Sequence, residues 1–245
     1  MKKCIELGAL HPESSVRART ITWGQEFDMV QEFISYKKRK YESKRNCSLA
    51  IFIEPMIHET YPDVVFVEYD PQKFEHWNEK RWQLSTIDRK ILYYIFSKRN
   101  VTKERIEKNL SLRPALVLES IEKLLDSELI DKENNFWRIR DRENIFGVRC
   151  VEAVEAKING WRNVLQQVII NASFASENSV LLRRKCKMKV ETEEEGSSLG
   201  LGIYLYDNKN FSEALKPRRR RFPMSESAIY INEMLGYSLY HQSES

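Results

Sequence analysis

The sequence predicts an α/β fold on a mixed sheet, split by an inserted helical module. Three observations carry this. CSLAIFIEP (47–55), YPDVVFVEYD (61–70) and VRCVEAVEAK (148–157) are short runs rich in β-branched and aromatic residues, the signature of strands. Residues 22–40 and 161–175 repeat apolar side chains at helical spacing. Between 79 and 143 the pattern changes to three helices followed by a strand–turn–strand.

Taken in order, TWGQEFDMVQEFISYKKRK (22–40) places Trp23, Phe27, Val30 and Ile34 on one helical face, with Glu26 pointing the same way. Pro55 ends the first strand, and Pro62-Asp63 opens the second, where proline is tolerated. PQKFEHWNEKRWQ (71–83) reads as a linker. Ser85 or Thr86 is the cap of a helix over 85–98, Thr102 opens a second, and Pro114 sits in the first turn of a third over 113–130. That third helix has Leu116, Ile121, Leu124 and Leu125 as its stripe. LIDKENNFWRIR (129–140) is a hairpin around Asn-Asn. After the 148–157 strand, WRNVLQQVIINASFA (161–175) is an amphipathic helix, with Trp161, Leu165, Val168, Ile169 and Ala172 on one face. Strands follow at 177–184 and 199–207, separated by a polar stretch. Gly200 and Gly202 are read as admitting close packing. A last helix runs over 225–236, ended by Gly236.

Composition bounds the function. The 245 residues are 31% charged and 42% hydrophobic, as in a globular protein, with a net charge of +4. The positive charge is clustered in KKRKYESKR (37–45) and KPRRRR (216–221), near the acidic ETEEE (191–195). Such basic runs are the footprint of a phosphate backbone or, alternatively, solvated faces. No apolar run is long enough to span a membrane. The N-terminus is broken too early by Glu6 and His11 to be a signal peptide. Cys4, Cys47, Cys150 and Cys186 are scattered, which argues against structural zinc and suits a reducing cytoplasm.

The chemistry sits in three residues. Glu155 and Lys157 point to the same face of their strand. If the 61–70 strand pairs beside it, Asp63 approaches Glu155, and two carboxylates make an oxygen-rich site suited to Mg²⁺, or to Mn²⁺ in its place. A neighbouring lysine can stabilise charge on a phosphate. The bland alternative is a solvent-facing strand with alternating charge. Pro62-Asp63 followed by Glu155-Ala156-Lys157 resembles the PD-(D/E)XK nuclease superfamily. The resemblance covers roughly 22–70 and 144–207. It implies a restriction-endonuclease-like αβββαβ core, metal-ligand roles for Asp63 and Glu155, and a catalytic role for Lys157. It further implies that Glu26 is an acid of the site on the first helix, and that Gln167 (or Gln166) joins it from the helix after the lysine. Asp63 and Glu155 are farther apart than the family usually has them, and the insertion accounts for the gap.

The inserted segment has the element order of a winged helix-turn-helix. Its third helix region, 113–132, carries Arg113, Lys123 and Lys132 against Glu119, Glu122, Asp126, Glu128 and Asp131, too acidic for a groove-reading helix. DNA contact is therefore expected from Arg113, from the ribbon's Arg138, Arg140 and Arg142, and from Lys103, Arg105 and Lys108. A protein-docking or homodimer role weighs equally. His58 is read as an ordinary loop histidine. Arg183 and Arg184, and the run Arg218, Arg219 and Arg220, are candidate phosphate contacts. The expected organisation is a core over 1–78, the inserted module over 79–143, and the rest of the core with the last helix over 144–245. The expected activity is Mg²⁺-dependent hydrolysis of double-stranded DNA, as in prokaryotic defence or DNA processing. The alternative is a non-cleaving DNA-binding or adaptor protein with a nuclease-like core.

Overall fold

The computed structural model describes residues 4–8, 23–42, 48–57, 60–98, 100–141, 145–158, 161–184 and 190–243. The chain divides into two compact units, Met1–Asp70 with Val148–Met224, and Pro71–Gly147 with Ser225–Ser245.

Runs that are apolar at nearly every position become strands covered on both faces. In the first unit these build a seven-stranded mixed sheet in the order β1-β2-β3-β6-β7-β8-β9. The strands are β1 (Cys4–Gly8), β2 (Ser48–Ile53), β3 (Val64–Tyr69), β6 (Val148–Lys157), β7 (Glu177–Arg183), β8 (Gly202–Asp207) and β9 (Asn210–Leu215). β1 runs parallel to β2, β3 is antiparallel to both neighbours, β6, β7 and β8 are parallel, and β9 returns antiparallel. Helix α1 (Gln25–Glu42) covers one face, where Phe27, Val30, Phe33 and Ile34 meet Ile51, Phe66, Val154, Ala156 and Leu181. α5 (Trp161–Asn171) covers the other, with Val164 and Val168 against Val180, Leu182 and Ile203. Leu181 lies under one helix and its neighbours Val180 and Leu182 under the other, as a two-residue period demands.

The α/β class and the mixed sheet are as the sequence predicts. β1, β9 and the helix α6 (Val190–Leu199) are additions. The β8–β9 hairpin turns through Asn208 and Lys209, both at positive φ. Such a turn usually advertises itself with glycine, and here it does not. Of the stripe expected on α5, Val168 is buried as predicted, but Ile169 is 59% exposed and Val164 is buried in its place. Gly202 is needed for close packing, since a Cβ there would lie 2.5 Å from Ser179 Oγ.

A polar network is buried beneath α1. Lys37 is 7% exposed, and its ammonium donates to Glu152 Oε2 at 2.6 Å and to the Tyr204 hydroxyl at 3.0 Å. Ser179 Oγ donates to the other Glu152 oxygen at 2.8 Å. Lys37 thus serves the fold, while Lys38 pairs with Glu6 and the exposed Lys40 lies near Glu213.

The second unit packs α2 (Thr86–Ser97), α3 (Lys103–Leu110) and α4 (Pro114–Asp126), then a ribbon of β4 (Ile130–Glu133) and β5 (Phe136–Ile139), with α7 (Glu226–Ser243). Ser85 and Asp88 form a capping box on α2, and Ser120 reaches Asp88 from α4 at 2.5 Å. Thr102 caps α3. Ile91, Ile106, Val117, Ile121, Leu124 and Ile229 share one core. Leu125, expected in the α4 stripe, is 38% exposed.

Three sequence expectations are corrected here. The 71–83 segment is not a linker, because it forms two 3-10 turns with Trp77 and Arg81 buried. The Arg81 guanidinium grips the Glu233 carboxylate with two hydrogen bonds, at 2.8 and 2.7 Å. Through that contact the last helix belongs with 71–147, so the second stretch of the sheet unit is 148–224 and not 144–245. Nor does Gly236 end α7. The helix runs on to Ser243, and the glycine lets Trp77 approach so closely that a Cβ would sit 2.3 Å from its Nε1. Gly236→Ala is expected to destabilise the second unit by about 1–3 kcal/mol through overpacking, read by chemical denaturation.

Candidate functional site

The sheet register brings together the two halves of the site that lie far apart in sequence. β3 and β6 are antiparallel neighbours with Val64 opposite Val154, so the next step sets Asp63 against Glu155. The Ala156 N–H donates to Asp63 Oδ2 at 2.7 Å, which ties the start of β3 to the end of β6. The same register on the other side sets Glu54 beside Asp63, and the Glu54 N–H donates to the Asp63 carbonyl at 3.1 Å.

Glu155 faces α5. It is 1% exposed, and Asn171 Nδ2 donates to its Oε1 at 2.7 Å. Its Oε2 is buried with no hydrogen-bond partner. Burial pushes the carboxyl pKa up to about 8, the Asp63 charge pushes the same way, and the Asn171 hydrogen bond and the Lys157 charge offset part of the rise. Lys157 shares the face of Glu155 but ends the strand. Its ammonium turns to Glu26 Oε2 at 3.3 Å, and the Ile158 N–H donates to Glu26 Oε1 at 3.1 Å. Glu26 therefore reads the end of β6 from the first turn of α1, where a carboxylate also complements the helix dipole.

These groups open on a cleft of about 630 Å³ lined by Glu26, Glu54, Asp63, Lys157, Gln167 and the aromatic rings of Trp23 and Tyr61. Gln167 rather than Gln166 faces it. Glu155 sits behind the lining. Three of the lining residues are beyond the sequence expectation. Glu54 follows an apolar strand and precedes Pro55, and only the register shows that it ends up beside Asp63. Trp23, expected in the apolar stripe of α1, is 73% exposed at the cleft, and Tyr61 is 38% exposed.

The buried, unpartnered Glu155 oxygen beside a second carboxylate is the donor set a hard divalent cation requires. Mg²⁺ is commonly held by one or two carboxylates with water completing the shell. Among the described residues no group of three or more His, Cys, Asp or Glu side chains is gathered to hold an ion.

No family model, no curated protein and no solved structure matches this chain.

Other expected contacts lie elsewhere. Arg219 sits near Glu68 and Glu177, at 3.8 Å each, and donates to the Arg149 carbonyl. Arg220 donates to the carbonyls of Ala172 and Ala175, closing the end of α5. Arg218 packs against Gly200. Arg219 and Arg220 thus meet the strand ends opposite Lys157, about 30 Å away along the ten residues of β6. The structure does not bring this run to the cleft. Arg183 does approach it, donating to Gln25 Oε1 at 3.4 Å, while Arg184 is near Asp207 at 3.5 Å. In the second unit Arg113 is the exposed residue preceding α4, Arg138 pairs with Glu133, and Arg140 lies near Glu128 and Asp131. His58, Cys47, Cys186 and Arg142 lie outside the described residues. Among the described residues, no helix is long and apolar enough to cross a membrane.

Proposed function

We propose that this protein is a Mg²⁺-dependent endonuclease that hydrolyses DNA phosphodiester bonds, with a restriction-endonuclease-like core and an inserted winged helix. The observation that carries the reading is the β3–β6 pairing, which sets Asp63 beside Glu155 and Lys157 across an insertion. The succession α1, β2, β3, β6, α5, β7 supports an αβββαβ core. Three helices followed by a ribbon support the winged helix. Arg138, Arg140 and, on α3, Lys103 are each paired with carboxylates, which leaves Arg113, Arg105 and Lys108 as the better contacts to DNA backbone.

Asp63 and Glu155 would hold the ion. Mg²⁺ held there supplies Lewis acidity and charge neutralisation at the scissile phosphate. The protein's own part is positioning. Asn171 fixes one Glu155 oxygen and leaves the other for the ion. Asp63 holds the Ala156 amide, so the two strand ends keep their spacing when the site loads. Glu26 restrains the Lys157 ammonium until a phosphate competes for it, and Lys157 then stabilises the developing negative charge. Gln167 is placed to orient substrate or water across the cleft.

The burial of Glu155 and the engagement of Lys157 by Glu26 also favour a second reading, a core that binds DNA without cutting it. Supercoiled-plasmid cleavage separates the two. The first reading expects nicking and linearisation with Mg²⁺ or Mn²⁺ that EDTA abolishes. DNA binding with no turnover under any divalent ion would establish the second.

A further inference from the structure

Two aromatic rings, Trp23 and Tyr61, line the cleft beside the carboxylates. Trp23 is the most exposed large apolar side chain among the described residues, at 73%, and it stands edge-on to Phe27 at 5.0 Å. Phe27 is buried and holds that edge, so the tryptophan is anchored while much of its surface stays open. Tyr61, two residues before Asp63, lines the same cleft. A single exposed ring needs no explanation, but two exposed rings lining one cleft are the kind of surface that marks a ligand-binding groove.

The charge around them narrows what that is. Glu26, Glu54 and Asp63 line the cleft against Lys157, so without a cation the cleft repels a phosphate. A nucleotide can still be held through its base, because every base offers a face on which an aromatic ring stacks. A cleft of this volume takes a small organic group but not a continuous duplex, whose bases are already stacked on one another.

We infer that Trp23 and Tyr61 form a stacking site for an unpaired base, so that the preferred substrate is DNA with an unpaired nucleotide at the cleft (a single strand, a flap or a frayed end) rather than continuous duplex. This rests on the nuclease reading for the position of the cut, but not for the binding. The rings hold the base, and Asp63, Glu155 and Lys157 then meet the adjoining phosphate.

The test is fluorescence anisotropy of labelled single-stranded, flapped and blunt duplex oligonucleotides with Ca²⁺, alongside cleavage of the same three with Mg²⁺. Wild type is expected to prefer the first two. Trp23→Ala should weaken them about tenfold, Tyr61→Ala by less, and Trp23→Phe should restore most of the loss, with blunt duplex unchanged throughout. Trp23 is exposed, so Trp23→Ala should leave the unfolding transition in place. Ring-dependent binding of unpaired DNA without cleavage would uphold the stacking site and overturn the nuclease reading. Cleavage of blunt duplex as fast as the flap, equal in wild type and Trp23→Ala, would overturn the stacking site and uphold the nuclease. Equal binding of all three oligonucleotides by wild type and Trp23→Ala would also overturn the stacking site.

Discussion

Asp63→Asn is expected to lower Mg²⁺-dependent plasmid cleavage by about 10²–10³-fold or more while leaving the fold intact. Asparagine keeps a carbonyl oxygen for the Ala156 amide, so that tie between β3 and β6 survives while the charge is lost. Asp63→Ala removes both and should cost stability as well as rate. Lys157→Ala should lose rate by a similar factor with metal binding retained, because the ammonium stabilises charge on the substrate and does not hold the ion. It also frees Glu26, whose carboxylate keeps the Ile158 amide. Plasmid cleavage and denaturation curves on the three variants separate these effects. Full activity in Asp63→Asn would remove it from the site.

The second large effect is on pH. Glu155 is protonated in the folded, metal-free protein up to about pH 8, whereas in the unfolded chain it ionises near the ordinary carboxylate value. Between those values the folded state holds a proton that the unfolded state has released. Unfolding free energy therefore falls as pH rises through this window, by about 1.4 kcal/mol per unit from this group, and levels off above about 8. Glu155→Gln should remove that slope in EDTA. A divalent ion must displace the same proton, so Mg²⁺ affinity should climb up to about tenfold per pH unit and flatten near pH 8. The checks are denaturation in EDTA and Mg²⁺ titration across pH 6–9. Pairs of curves parallel between wild type and Glu155→Gln would sink this account of the carboxyl.

The strands and helices around the candidate site were legible because their signals are local. VRCVEAVEAK predicts β6 residue for residue, and Ser85, Thr102 and Pro114 mark helix starts by capping chemistry that depends on a few neighbours. What failed was non-local. Lys37 looks like part of an exposed basic run until Glu152, from a strand more than a hundred residues away, receives it. Arg219 and Arg220 read as phosphate contacts until the fold supplies Glu68, Glu177 and the open carbonyls of α5. Gly236 has the composition of a helix end, and Trp77 gives it another reason to be glycine. Glu54 and Trp23 enter the site through sheet register and helix placement, neither of which a single sequence encodes in any one stretch. The split pair itself was half legible. The two motifs could be read separately, but their convergence depended on whether β3 and β6 pair, and the register gives that pairing.

In the proposed site Asp63 and Glu155 hold one divalent ion between them. Calorimetric titration of Mn²⁺ at pH 8 into wild type, Asp63→Asn, Glu155→Gln and Lys157→Ala tests it most directly. One site is expected in wild type, with loss of that site in both carboxylate variants and its retention in Lys157→Ala. Mn²⁺ binding that is unchanged by both Asp63→Asn and Glu155→Gln would contradict it.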